Sequence, residues 1–131
     1  TIYGEGSGKF NRTSIQIPTL IRTAIKSGQA VVLGEGTGGW DAVHIDDLTT
    51  LYELLLVKAL AGENIPSGKK GIYFSETGDY SWKQLSQGLA DELYKQGLIK
   101  TKEVKSLSLQ EGADLWAGGN KQFVELGFGS K

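Results

Sequence analysis

The chain has 131 residues, 14 basic and 15 acidic side chains and a net charge of -1, which suits one domain with a buried core and offers no basic surface for nucleic acid or acidic membrane. It has no cysteine, so disulfides and thiolate metal sites are excluded. No apolar run reaches the roughly 18 residues of a membrane span, and the N-terminus lacks the basic and apolar regions of a signal peptide, which together point to a cytoplasmic protein. There is also no methionine, so the expectation is a processed chain or a piece of something longer.

Thr1 to Gly8 reads as a β-prone start followed by a glycine loop. Ile17, Leu20, Ile21, Ala24 and Ile25 recur at helical spacing, with Pro18 in the first turn, where its missing N–H costs nothing, and Gly28 as a stop. Ala30 to Leu33 is a short apolar run suited to a strand, and Ala42 to Ile45 suits another. Asp46 or Asp47 then caps a helix bearing Leu48, Leu51, Tyr52, Leu55 and Ala59 on one face, broadened by Leu54, Leu56, Val57 and Leu60. A helix apolar over so much of its circumference is expected to be buried on more than one side.

Residues 61 to 70 read as a loop, and Gly71 to Ser75 as a strand. Ser81 with Gln84, and Ser108 with Glu111, fit capping boxes, in which the side chain of each residue bonds the other's backbone N–H. The first box opens a helix with Leu85, Leu89 and Leu93 that stops near Gly97; the second opens a short helix ending by Gly118 and Gly119. Asn120 caps a last helix through Phe123, Val124 and Leu126.

The segment GEGTGGWDAVHIDDL, residues 34 to 48, invites three chemical readings. A phosphate cradle needs its glycines between a strand and a helix N-terminus; here they lead from one strand to another, and no P-loop lysine with serine or threonine follows. A metal site at His44, Asp46 and Asp47 lacks a second histidine, and neighbouring strand positions face opposite ways. A glycine turn followed by a hydrogen-bonded histidine and a capping aspartate is the reading that remains. No nucleophile constellation and no catalytic residue stand out.

Taken together, Thr1-Ile2-Tyr3-Gly4, Gln16-Ile17-Pro18, Val32 to Gly36 and Trp40 to Leu48 resemble the C-terminal half of an extended short-chain dehydrogenase/reductase, the NAD(P)-dependent epimerase/dehydratase family. The order and spacing match through about Tyr52. Beyond it, Gly71 to Phe74 resembles a later sheet strand, Ser81 to Gly97 the following helix, and Ser108 to Lys131 the approach to the family's C-terminal region. The resemblance implies an α/β fold: a helix-rich C-terminal substrate lobe with a few short strands, spanning residues 1–131 as one lobe. The family's glycine-rich cofactor loop and its Tyr-x-x-x-Lys pair would lie upstream of Thr1. By this resemblance the chain binds no cofactor alone, NAD or NADP belonging to the parent protein, and is a substrate-binding fragment inactive by itself.

The candidate substrate-binding positions are Thr1, Tyr3, Ser14, Ile15, Leu33 and Trp40, together with Arg12, which with Lys9 is the basic charge of the first loop and is able to pair with a substrate or cofactor anion. Trp40 stands where nucleotide-sugar enzymes of the family carry a diphosphate-gripping arginine, and Thr1 where they carry an asparagine. A tryptophan offers no charged fork, so a carbonyl compound, apolar, aromatic or sugar-like, is the expected substrate. Each position also has a structural reading: Trp40 as a hydrophobic plug, Arg12 as a surface residue, Ser14 as a helix cap, Ile15 and Leu33 as core. The alternative to an enzyme fragment is a stand-alone, non-catalytic ligand-binding or self-assembly module. Both readings leave strand edges and a helix face unpartnered, which favours self-association or docking of the missing Rossmann half.

Overall fold

A computed structural model describes residues 1–129. The chain is mixed α/β, with β1 (Ile2–Tyr3), α1 (Gln16–Ser27), β2 (Ala30–Leu33), β3 (Gly39–His44), α2 (Ile45–Leu60), β4 (Gly78–Ser81), α3 (Trp82–Lys95), β5 (Val104–Leu107), α4 (Leu109–Trp116) and α5 (Lys121–Phe128), plus one 3-10 turn at Gly68–Lys70. It divides into two compact units: Thr1–Thr13 with Asp41–Gly78, and Ser14–Trp40 with Asp79–Lys131.

The second unit is built on a parallel pair, β2 with β5, in the register Ala30↔Val104 to Leu33↔Leu107. Pro18 sits in the first turn of α1, where no intrahelical donor is needed, and Gly28 closes the helix in a left-handed conformation, its N–H bonded to Ala24 O. Leu20 and Ala24, one turn apart, are the buried stripe of α1. Ala24, Ala30, Ala90, Leu93 and Ile99 form one cluster, joined by Ile21 and Val104. Leu20, Val32, Trp82 and Phe128 form another, with Trp116 stacked on Phe128 at 4.5 Å between ring centres. Both expected capping boxes are present, at Ser81/Gln84 and Ser108/Glu111, and Asn120 caps α5 by accepting from Phe123 N–H. Ser86, the one buried polar side chain among the described residues, donates to Val31 O at 3.0 Å, so its hydroxyl is satisfied where water is absent.

In the first unit β1 pairs in parallel with β3 through Ile2↔Val43 and Tyr3↔His44. β3 lies between β1 and β4 in its sheet, leaving β1 as an edge strand. Val43 is the only residue of this unit that is fully buried.

Three expectations are corrected here. The cap of α2 is His44, not Asp46 or Asp47: its Nδ1 accepts from Asp46 N–H at 3.2 Å, and the aspartates instead occupy the first turn, where the helix dipole favours them. Helix α2 itself buries none of its residues; Ile45, Leu48, Leu51 and Leu55 are half-buried, while Tyr52, Leu54, Leu56, Val57 and Leu60 are exposed. Residues 71–75 are not a strand: no neighbouring strand takes up their backbone, Ile72 and Phe74 face solvent, and Tyr73 is tied by its hydroxyl to Pro66 O at 2.6 Å. The strand that precedes α3 is β4, and β5 was not foreseen.

Candidate functional site

The seven positions singled out in the sequence fall into the two units, Thr1, Tyr3 and Arg12 in the first, Ser14, Ile15, Leu33 and Trp40 in the second. In the first, the N-terminal amino group bonds Asp41 O, and Thr1 O accepts from Val43 N–H at 3.0 Å, which extends the β1–β3 ladder by one residue. Tyr3 stands edge-on to His44, with ring centres 5.1 Å apart. Gly4, at φ +96°, lies so close to this histidine that a Cβ there would meet Nε2 at 2.4 Å. His44 Nδ1, which accepts from Asp46 N–H, also lies 3.5 Å from Asp46 Oδ2. Tyr3 and His44 therefore form a small aromatic pair held by backbone on one side and a helix start on the other.

Arg12 is engaged in closing its own loop. Its Nε donates to Gly6 O at 2.9 Å, a guanidinium nitrogen meets Glu5 Oε1 at 2.8 Å, and Gly6 N–H bonds Arg12 O. A ligand anion would have to compete with Glu5 for it. No cluster of three or more metal-ligating side chains occurs among the described residues.

In the second unit, the glycine-rich loop leaves β2 through a tight turn: Gly36 N–H bonds Leu33 O and Gly34 N–H bonds Leu107 O. Gly36 has φ +62°, and a Cβ there would lie 2.5 Å from Val32 Cγ2 and 2.9 Å from Lys83 N. Lys83 N–H donates to Gly36 O, so the loop is clamped against the start of α3. Leu33, this loop and Ser108 at the start of α4 line a concavity of about 440 Å³. Its charged lining is Glu35 and Glu125, with no lysine or arginine. Two carboxylates and no cation repel a phosphate, so the cradle reading fails on electrostatic grounds as well as on context.

Trp40 packs edge-on to Trp82 at 6.0 Å and donates its Nε1–H to Gly129 O at 3.2 Å. The indole's only donor is thus spent on the backbone and its ring lies against Trp82, which suits a plug, while the residue stays partly exposed. Trp82 is 2% exposed, and its own Nε1 has no hydrogen-bond partner among the described residues. Ile15 is exposed rather than core, because it occupies the cap position of α1 instead of its inner face. Ser14 does not cap that helix; α1 has no side-chain cap.

The acidity of Glu111 is displaced: hydrogen bonds from Ser108, backbone N–H first and hydroxyl second, hold it below the usual value, and Lys105 adds attraction. Ser108 N–H donates to it at 2.7 Å.

Over 121 residues, 86% of the chain, the sequence is 31% identical to a protein named Oxidase ucsJ from Acremonium sp. Over 77 residues, 58% of the chain, it is 31% identical to the uncharacterized protein YLL056C of Saccharomyces cerevisiae. The chain spans 35% and 24% of the lengths of these curated relatives. No protein-family profile matches it, and no solved structure does. No described helix is long and apolar enough to cross a membrane.

Proposed function

We propose that the chain is the substrate-binding portion of a longer NAD(P)-dependent epimerase, dehydratase or reductase, lacking cofactor loop and catalytic residues and inactive alone. The observation that carries this reading is the bare apolar surface of α2 in a chain that covers 35% of an oxidase-named relative. Leu54, Leu56, Val57 and Leu60 are each more than half exposed, on a helix that follows a parallel strand. Parallel sheets are ordinarily covered on both faces, and so large an apolar surface calls for a cover. In this reading the cover is the dinucleotide-binding α/β portion of the parent protein, which also pairs with the open edge of β1. In the chain alone, self-association takes its place.

The resemblance of Thr1 to Gly4 and of Trp40 to Leu48 to the epimerase/dehydratase family supports the same reading, as does the oxidase name of the relative from Acremonium sp. With Trp40 where an arginine would grip a diphosphate, a small carbonyl or sugar-like compound is the proposed substrate class.

The test is the coding sequence immediately upstream of Thr1. A glycine-rich strand-turn-helix followed by a Tyr-x-x-x-Lys pair is expected there. An initiator codon close to Thr1 would overturn the fragment reading in favour of a stand-alone module. Saturable binding of NADH or NADPH by the chain alone would overturn it too.

A further inference from the structure

A second concavity, of about 540 Å³, opens beside the β2–β5 pair, within the size range of small-molecule sites. Its apolar lining is Val31 and Leu107 from the two strands and Leu115 from α4. Its charged lining is entirely cationic: Arg22 and Lys26 from α1, and Lys105 from β5. Against a chain with 14 basic and 15 acidic residues, a cavity lined by three cations and no carboxylate is a local departure.

The cations are short of partners. Arg22 bonds only Thr19 Oγ1, and neither it nor Lys26 has a carboxylate within ion-pair distance among the described residues. Lys105 meets Glu111 at 3.8 Å, a carboxylate already bound to Ser108 N–H. Arg22 and Lys26 lie four residues apart on α1, a like-charge spacing that places two positive charges on one side of the cavity.

The neutral polar groups of the lining are already engaged. Ser27 Oγ shares its one proton between Thr23 O and Gln29 O, Gln29 Nε2 donates to Glu103 O, and Thr23 Oγ1 accepts from Trp116 Nε1. What the cavity offers an incoming molecule is positive charge at the rim and aliphatic surface within.

We propose that this cavity binds a small amphipathic carboxylate, an acyl or aryl acid whose anionic head meets Arg22, Lys26 and Lys105 and whose apolar body lies on Val31, Leu107 and Leu115. The site lies wholly within the second unit and does not depend on the parent enzyme proposed above.

The Trp116 indole N–H, bonded to Thr23 at 3.0 Å, is a local reporter readable by nuclear magnetic resonance. Titration of the whole chain with phenylbutyrate is expected to shift this resonance saturably, whereas phenylbutanol and inorganic phosphate leave it in place. The exposed Arg22→Ala/Lys105→Ala pair, which removes two of the three cations, is expected to weaken phenylbutyrate binding by about tenfold or more. Lys26→Gln, which removes no bond within the fold, is expected to weaken it less. Absence of a shift, equal binding of the alcohol or of phosphate, or unchanged affinity in both variants would each overturn the proposal.

Discussion

The two units of this chain treat their apolar residues in opposite ways. Ser14–Trp40 with Asp79–Lys131 holds Leu20, Val32, Trp82, Val124 and Phe128 at 7% exposure or less. Thr1–Thr13 with Asp41–Gly78 is no poorer in leucine and isoleucine, yet buries Val43 alone and leaves Leu60 at 79% and Phe74 at 86%. Composition does not separate them; cover does. The second unit surrounds a parallel strand pair with helices of its own, while the first supplies a parallel pair and one helix and nothing further to lay upon them. A region with few buried contacts opens locally at low free energy, so the first unit is expected to open more readily than the second.

That contrast can be broken most sharply in the core. Trp82→Ala removes the ring that joins Trp40, Tyr80 and Phe128, and is expected to cost about 3–5 kcal/mol in urea unfolding followed by near-ultraviolet circular dichroism. A loss below about 1 kcal/mol would mean the second unit is not the stable one. Gly36→Ala, which combines a left-handed backbone with a Cβ driven into Val32 and Lys83, is expected to cost roughly 1–3 kcal/mol by the same assay.

Trp40→Phe keeps most of the ring surface and deletes the donor to Gly129 O. About 1 kcal/mol of lost stability is expected; an unchanged unfolding midpoint would return Trp40 to the role of ligand wall. On the first unit, Leu56→Glu with Leu60→Glu is expected to change stability of the monomer by no more than about 0.5 kcal/mol, because both side chains already face water. Light scattering is expected to show the same pair abolishing self-association, and persistence of oligomers would place the contact elsewhere.

The smallest effect is pH-dependent. Glu111 is more acidic in the folded chain than in the unfolded one, so its contribution is present above the unfolded carboxyl pKa and is lost as pH falls through the folded value. Glu111→Gln keeps a capping side chain but carries no charge. Stability against pH, measured at and below the ordinary carboxylate range near 4.3, is expected to fall less steeply in this variant than in the parent chain; parallel curves would contradict the assignment.

The second unit was largely legible in the sequence because its signals are local. Pro18 and Gly28 bound α1, and Ser81 with Gln84 and Ser108 with Glu111 each mark a helix start by side-chain chemistry within one turn. β5 leaves little trace in the sequence because Lys105 and Ser106, adjacent and both exposed, interrupt Val104 and Leu107, so four residues carry too little alternation to stand out. Residues 71–75 misled for the converse reason. Ile72, Tyr73 and Phe74 have strand propensity, but a strand requires a neighbour, and propensity says nothing about whether one is supplied. Among the candidate site residues, the closeness of Tyr3 to His44 and the bond from Trp40 to Gly129 join distant positions in sequence, or depend on ring orientation. No local pattern encodes either. His44 was foreseen as hydrogen-bonded, but its service as the helix cap in place of the adjacent aspartates depends on Nδ1 facing Asp46 N–H.

Amide hydrogen exchange, followed residue by residue over a range of protein concentrations, tests most directly the claim that the first unit lacks a cover. At low concentration the amides of α2 are expected to exchange through local opening while those of α3 exchange only through global unfolding, and protection of α2 alone is expected to rise as concentration increases. Protection of α2 equal to that of α3 and independent of concentration would contradict the account.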